Sequence, residues 1–568
     1  MASALLYTSR EQEKRLRQDH YMADKFISAA EAAALIPDNI TLATGGFIGI
    51  GFAEALAKAI EQRFLETGAP NNLTLFYAAG QGDAKTRGLN HFGHAGLVKR
   101  VIGGHWGLAP KLGELALSNQ IEAYNLPQGV ICHMFRDIAA GKPGTLTHVG
   151  LHTFVDPRIE GGRINANTVE PRVELIQIAD KEYLFYPALP LHVALLRGTT
   201  ADAQGNISME REALPLETLA IAQAVHNSGG KVFVQVERRT EAHTLTADRI
   251  RIPGILVDHV IVATPEDHPQ TFAEQHNPTY TGELRSTAPN PEPTVLDARK
   301  VIGRRALLEL KAGATVNLGI GMPEMVAMVA SEENRLSDMT LTVEPGGIGG
   351  QPASGLSFGA VSNPESIIDQ PAQFDFYDGG GLDQAFLGLA ETSLEGHVNV
   401  SRFGNKLAGA GGFINISQNT RDLYFLGTFT SGKQQIDIHA GSLRITHSGQ
   451  MKKFKSQVQQ ITFNGRYAMQ RGQRVTFITE RAVFRLTKDG LMLTEIAPGV
   501  SLQQDILDQM EFEPLVSPEL VEMDARLFWD KPMFSADKQQ YSAVAEEATR
   551  TECNSNNVEE NDSQPRQG

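Results

Sequence analysis

Apolar residues recur along this chain first at helical and then at strand spacing, and the alternation repeats. Residues 26–36 read as a helix, with Ser28 as its cap and Glu31 three residues on, the spacing of a capping box. A polar Pro37-Asp38-Asn39 break leads into a short apolar strand at 40–44 and then a glycine-rich loop at 45–51. A helix follows with Phe52, Leu56 and Ile60 on one face. Strand, glycine loop and helix in that order mark an α/β fold, and the first turn of such a helix offers free N–H groups to an anion. A second strand at 73–79 runs into Gly80-Gln81-Gly82-Asp83.

The same order returns later. Residues 311–318 read as a strand and Gly319-Ile320-Gly321-Met322-Pro323 as a loop. Met325, Val326, Met328 and Val329 mark a helix, and 339–344 form the next strand. Superposing Thr74-Leu75 on Thr340-Leu341 puts Ala78 opposite Glu344. Two further echoes match 203–208 with 396–401 and 230–236 with 421–427. Echoes in one order predict an α/β protein of two related open domains, not a short-period solenoid. The seam, Ser286-Thr287-Ala288-Pro289-Asn290-Pro291-Glu292-Pro293, is proline-rich and polar, as a linker should be. The expected organisation is a charged lead-in at 1–25, a first domain at 26–285, a linker at 286–296, a second domain at 297–534 and a disordered acidic tail at 535–568. Within the second domain, 374–377 reads as a strand before the glycines 379–381, and 473–479, 482–486 and 491–496 as closing strands. Ser501 caps a last helix with Ile506, Leu507 and Met510 facing inward.

Composition narrows the classes. At 568 residues the chain is too long for one core, and 41% hydrophobic residues with 54 glycines suit many tight strand-to-helix turns. A net charge of -15 argues against nucleic acid as a partner, although Glu546, Glu547, Glu552, Glu559, Glu560 and Asp562 crowd much of it near the C-terminal end. With only Cys132 and Cys553, no structural disulfide is expected, and Cys132 reads as a small core residue. The chain has no apolar run of about 18 residues, and residues 1–21 lack the apolar centre of a secretory signal, so a cytoplasmic protein with no membrane partner is expected. His91, His94 and His105 with Asp83 match no metal-ligand spacing, so no metal is expected. Gly45, Gly49 and Gly51 do not fit the dinucleotide-binding spacing.

One stretch is unlike the rest. Residues 340–350 rise as a strand to Glu344 and then change character. Pro345 pushes Glu344 toward an extended backbone, and the glycines beyond it exclude regular structure while allowing close approach of a ligand. A lone carboxylate is left at a strand exit, beside a loop almost without side chains.

Together these motifs resemble those of family I coenzyme A transferases. Gly45-Gly46-Phe47 with Gly51 is similar to the first-half signature, with Ala53 where a proline is usual. Thr342-Val343-Glu344-Pro345-Gly346-Gly347 resembles the catalytic glutamate motif of the single-chain propionate/acetate branch. It departs from the Ser-Glu-Asn-Gly form of the 3-oxoacid branch. Residues 319–323 resemble the CoA loop, Gly409-Ala410-Gly411-Gly412-Phe413 the oxyanion loop, and 493–500 a strand near the C-terminus. The resemblance spans roughly residues 25–530, and the ordered set is far more specific than any one motif.

The resemblance implies an enzyme that moves CoA between a short-chain acyl-CoA and a free carboxylate such as acetate or propionate. It implies Glu344 as nucleophile, through a glutamyl-CoA thioester. It also implies oxyanion donors at Gly411 and Gly412, a side-chain donor at Gln128, and CoA contacts at Gly319, Ile320, Gly321, Met322, Pro323 and Lys433. CoA enters as substrate with no further cofactor, and the subunits form a homo-oligomer, a dimer or tetramer. Two alternatives stay open: an acyl-CoA hydrolase using the same glutamate, and a non-catalytic ligand-binding protein on the same fold.

Overall fold

Strands that are apolar on both faces pair in parallel and are covered by helices on each side. The first half does so throughout; the second does so at its centre and adds antiparallel strands on both sides. The computed structural model describes residues 25–286 and 294–534, so residues 1–24 of the lead-in, the proline run 287–293 and the acidic tail lie outside the described residues. Helix α1 (Ala29–Ala34) carries the expected box, with Ser28 and Glu31 each bonding the other's backbone N–H. The first sheet contains β1 (Thr41–Thr44), β2 (Leu73–Tyr77), β3 (Val98–Gly103), β4 (Glu122–Asn125), β5 (Val193–Arg197), β6 (Lys231–Val236) and β7 (His259–Val262). Its order is β7-β6-β5-β1-β2-β3-β4, parallel throughout. Helices α2 (Glu54–Thr67), α3 (Gln128–Ala139) and α4 (Thr218–Asn227) lie among its crossovers.

The second sheet is built from β8 (Ala314–Leu318), β9 (Met339–Thr342), β10 (Gly347–Ile348), β11 (Ser366–Ile367), β12 (Gln384–Gly388), β13 (Asp422–Leu426), β14 (Arg474–Ile478), β15 (Ala482–Thr487), β16 (Gly490–Ile496) and β17 (Leu515–Glu522). It runs β11-β10-β9-β8-β12-β13-β14-β15-β16-β17. Helices α5 (Glu324–Glu332), α6 (Gln370–Asp378) and α7 (Phe413–Asn419) accompany it. The run β6-β5-β1-β2 of the first sheet thus reappears as β13-β12-β8-β9. The register agrees as well: Thr41 pairs with Thr74 as Thr315 pairs with Thr340. In each half the strand order reverses direction at one strand, β1 or β8, and the crevice beyond the carboxyl ends at such a point is where open α/β sheets bind ligands.

Three local expectations need correction. Residues 374–377 are helical, inside α6, because Pro371 occupies its first turn and Gln370, Gln373, Phe374 and Tyr377 fall on one buried face. The glycines after Glu344 do not end regular structure: Gly347–Ile348 return as β10, antiparallel to Thr342. The last helix is one wide turn at Leu502–Ile506 followed by a 3₁₀ turn, although Ser501 caps it by accepting from Gln504 N–H. Strand β17 contains Pro518, which is tolerated because β17 lies at the edge of the sheet.

The halves share a core. Val130, Ile131 and Cys132 of α3 belong to the same apolar cluster as Phe374 and Tyr377 of α6 and Ile414 of α7. Across this seam Gly129 N–H donates to Asn415 Oδ1 (3.1 Å), and Arg136 meets Asp375 through two bonds of 2.7 Å. Among the described residues no helix is long and apolar enough to cross a membrane. A Cβ at Gly129 would fall 2.5 Å from Asn415 Nδ2 and 2.5 Å from Phe374 Cδ1. Gly129→Ala should therefore lower stability by about 1–3 kcal/mol, the usual cost of overpacking. A denaturant titration checks this, and an unchanged midpoint would mean that the seam is soft.

Candidate active site

Glu344 stands two residues beyond β9, at the tip of the tight turn into β10. The strand end beneath it is pinned from three directions. Tyr377 Oη–H donates to Thr342 Oγ1 (2.8 Å), Thr342 Oγ1–H donates to Val316 O (3.1 Å), and Asn317 Nδ2 donates to Tyr377 Oη (3.2 Å). The turn closes through Gly346 N–H to Val343 O (3.0 Å) and Val343 N–H to Gly347 O (2.9 Å). Gly346 has φ +121°, and a Cβ there would sit 2.0 Å from Ile368 O, so only glycine fits.

The second wall of the site comes from the loop before α7, stapled to the first half. Trp106 N–H donates to Ala408 O (2.7 Å), Ala410 N–H to Asn125 Oδ1 (2.9 Å), Gly411 N–H to Gly104 O (2.7 Å) and Gln128 N–H to Gly411 O (3.0 Å). These bonds press Gly412 against Glu344: a Cβ at Gly412 would lie 2.7 Å from Glu344 Oε2. Of the two expected donors in this loop, Gly411 already donates to Gly104. Gly412 N–H has no hydrogen-bond partner among the described residues. Gln128 is buried, and its amide Nε2 meets no strict hydrogen-bond geometry among the described residues but lies close enough to the Glu344 carboxylate to act as a donor to it and draw its pKa down.

Burial dominates the electrostatics. The side chain keeps some solvent access, but protein encloses the carboxyl group, and desolvation lifts its pKa from 4.5 to about 7 against the small opposing pull of Gln128. No Lys or Arg pairs with it among the described residues. The result is a slot that holds one carboxylate poised near neutrality, a pattern typical of functional groups.

The predicted residues divide. Glu344, Gln128, Gly411 and Gly412 converge at the seam. Residues 319–323 follow β8, the parallel neighbour of β9, so this loop opens on the same sheet edge. Its Gly319 and Gly321 N–H groups are engaged by Phe386 O (2.9 Å) and Glu324 Oε1 (3.0 Å), Met322 is partly exposed, Pro323 is buried at the start of α5, and Ile320 projects with 57% exposure. Lys433 follows β13, two strands away from β8; it is exposed and touches none of the cluster among the described residues. Sequence reasoning missed Gly104, Asn125, Asn317, Phe374 and Tyr377, whose roles depend on long-range contacts that leave no local signature. His91 is fixed between Glu54 (2.9 Å) and Glu61 (2.5 Å), while His105 lies apart, against Gly80 and Gly411, where burial lowers its pKa to about 4.

Comparison with known proteins bears on this arrangement. The coenzyme A transferase family profile matches residues 26–263. A caffeate CoA-transferase of Acetobacterium woodii is 46% identical over 513 residues, covering 89% of this chain and 98% of the relative. The chain belongs to the coenzyme A transferase family. The acetate CoA-transferase YdiF of Escherichia coli K12 is 44% identical to this transferase over 508 residues, 89% of this chain and 96% of that one. The crystal structure of YdiF from Escherichia coli O157:H7, described as a thioester complex with CoA, superposes with a TM-score of 0.85 at 42% identity, covering 90% of this chain and 98% of that one. The transferase is thus a two-domain α/β enzyme of CoA transfer.

The raised pKa of Glu344 carries a stability cost of definite sign. Between 4.5 and about 7 the folded transferase holds a proton that the unfolded chain has released, so stability falls as pH rises through this window. Glu344→Gln removes the cost. The variant should match the wild type near pH 4.5 and exceed it by roughly 2 kcal/mol at pH 8, after allowance for partial solvent access. Unfolding curves at the two pH values check this; a variant less stable than wild type at pH 8 would contradict the assigned burial.

Proposed function

We propose that the transferase moves CoA between a short-chain acyl-CoA and a free carboxylate by a ping-pong route through Glu344. The ionised Oε of Glu344 attacks the thioester carbonyl carbon, the C–S bond breaks, and CoA leaves as thiolate from a glutamyl–acyl anhydride. The thiolate then attacks the Glu344 carbonyl carbon, forming the glutamyl-CoA thioester and releasing the first acid as carboxylate. An acceptor carboxylate attacks that thioester to give the second anhydride, and the returning thiolate carries off the new acyl group. Glu344 ends as it began. One thioester is consumed and one is made, so no external energy source enters the balance.

The observation that carries this reading is the convergence on one enclosed carboxylate of two donors, Gly412 N–H, which has no partner among the described residues, and the Gln128 amide, which acts on the carboxylate itself. Each tetrahedral intermediate places negative charge on an oxygen that needs such pre-aimed donors. A desolvated carboxylate is a stronger nucleophile than a hydrated one, and a pKa near 7 leaves it half ionised at neutral pH. Residues 319–323 would bear on CoA from the adjoining strand end, with Ile320 offering an apolar contact; Lys433 would reach only the far end of that ligand. The relatives named for acetate and for caffeate suggest an acceptor panel running from short acids to an aromatic one.

Two experiments test this. Incubation with acetyl-CoA alone should leave a borohydride-sensitive CoA adduct on the peptide containing Glu344, discharged by added propionate with formation of propionyl-CoA; Glu344→Gln should form none and lose transfer by several orders of magnitude. Steady release of CoA without acceptor, indifferent to propionate, would identify a hydrolase instead. Separately, Gly412→Ala should push the carboxylate aside and lower kcat on the order of 10²–10³-fold with a smaller change in KM. A KM effect alone would reduce the loop to a binding element.

A further inference from the structure

Gly412 and Gln128 come from different halves of the chain, yet their donors must keep a fixed spacing over one carboxylate. The bonds that set this spacing lie just behind the site. Helix α3 begins at Gln128, so its first N–H groups have no partner within the helix. Two of them are taken by the second half: Gln128 N–H donates to Gly411 O (3.0 Å) and Gly129 N–H to Asn415 Oδ1 (3.1 Å). Gly411 and Asn415 stand on either side of Gly412 in the chain. The second-half donor is therefore bracketed by the two acceptors that hold the head of α3.

Asn415 is fully buried, and the other end of its amide is committed as well. Its Nδ2 donates to both oxygens of Asp378, the last residue of α6, at 2.9 and 3.1 Å. An ionised carboxylate only accepts, so it turns Nδ2 toward itself and leaves Oδ1 for Gly129. Charged neighbours bear on Asp378 from two helices. On α3, His133 Nδ1 lies 3.7 Å from it, while His133 Nε2 meets Asp375 (3.1 Å), which also pairs with Arg136. Cys132 and Tyr186 lie within its electrostatic reach, and burial raises the pKa of each. Burial also raises the pKa of Asp378 to about 6, opposed by His133 and by the Asn415 bond, so at neutral pH it is mainly an anion. The far end of α7 is held separately: Gly150 N–H donates to Gln418 Oε1 and Gln418 Nε2 donates to Leu151 O, each at 2.8 Å. Asn415 thus acts on the head of the helix, beside Gly412.

We propose that Asn415 is a positioning residue for the transfer reaction: backed by Asp378, it locks the Gln128 and Gly412 donors at the spacing that the oxyanion requires. The inference rests on the oxyanion role assigned to those two donors. Asn415 makes no hydrogen bond to Glu344 among the described residues and acts through the backbone that it holds. Misplacing a preorganised group by about 1 Å costs on the order of 10²-fold in rate, so a buried amide behind the site can govern kcat. Asp378 has a part in this. Its negative charge fixes which way the amide faces, and a reversed amide would present Nδ2 to Gly129 N–H, donor against donor.

The test uses the full-length transferase with acetyl-CoA as donor and propionate as acceptor, at about pH 6 and about pH 8. Asn415→Leu keeps the volume and removes both hydrogen bonds; it should lower kcat about 10- to 100-fold while KM changes by less than about 3-fold. Asn415→Asp, which also serves if Asn415→Leu does not fold, keeps an acceptor for Gly129 N–H but sets a second carboxylate against Asp378. Such a pair shares one proton at low pH and is driven apart when the proton leaves. Its kcat should lie within about 10-fold of wild type at the lower pH and fall by about a further 10-fold or more, relative to wild type, at the higher. Combining Asn415→Asp with Asp378→Asn restores one amide facing one carboxylate and should abolish that alkaline loss. A general packing fault would lower the rate equally at both pH values and would persist in the exchanged pair. A loss in N415D that ignores pH, an exchange that rescues nothing, or a folded Asn415→Leu with wild-type kcat each overturns the proposal. The rate at which acetyl-CoA forms the glutamyl-CoA adduct separates this reading from the one beneath it. A slower rate in Asn415→Leu than in wild type supports both, equal rates remove the positioning role and leave Glu344 standing, and no adduct in wild type removes the transfer route and this proposal with it.

Discussion

A carboxylate enclosed by protein, with no cation beside it among the described residues, is the costly feature around which this transferase is arranged. Burying an ionised group without a partner costs several kcal/mol, and a flexible turn would relieve that cost by swinging the side chain out to water. The chain prevents this escape. β9 is held to β8 below the carboxylate, β10 folds back on β9 beyond it, and Gly346 accepts a backbone position that any side chain would forbid. Rigid backbone on three sides converts an unfavourable burial into a group whose proton is exchanged near neutrality.

The two halves share a plan but divide the work. Ala78 follows β2 as Glu344 follows β9, and the first half instead supplies amide and carbonyl groups: Gln128 at the head of α3, Gly104 after β3 and Asn125 at the end of β4. Neither half contains a complete site. Asn125 and Gly104 hold the 408–412 loop of the second half, and that loop holds Gly412 over Glu344. A carboxylate in one domain with its proposed donors set by the other makes the seam itself the working part. This explains why the packing there admits so little freedom at Gly129, Gly346 and Gly412.

The same seam shows how pKa values are separated by environment in a small volume. Glu344 and Glu217 are both raised by burial, yet Glu344 retains a route to solvent and an amide beside it, while Glu217 is sealed among neutral groups. At neutral pH the first is available as an anion and the second remains an acid. His105, driven toward the neutral imidazole, adds no positive charge that would collapse the difference.

Much of this was written in local pattern. The period-two and period-3.6 spacing of apolar residues announced β1, β2, β8 and β9 and the glycine loops between them. The repeated order of those elements announced two related halves, and the Thr342–Gly347 motif singled out Glu344. These features are legible because they depend on residues close in sequence: a proline restricts its predecessor, a glycine permits a turn, a strand alternates its faces. Where local signals competed they misled. The aromatic run at 374–377 read as a strand until Pro371 and the buried spacing of Gln370, Gln373 and Tyr377 placed it on a helix. What the tertiary structure alone decided was which distant groups meet. Gly411 N–H is taken by Gly104, Gly412 N–H has no partner among the described residues, Lys433 stands apart, and the segment entering α6 bonds both Leu216, beside Glu217, and Gly346 of the Glu344 turn. Hydrogen bonds between residues so far apart leave no periodic trace, because each partner satisfies its own local rules equally well whether or not the other is present.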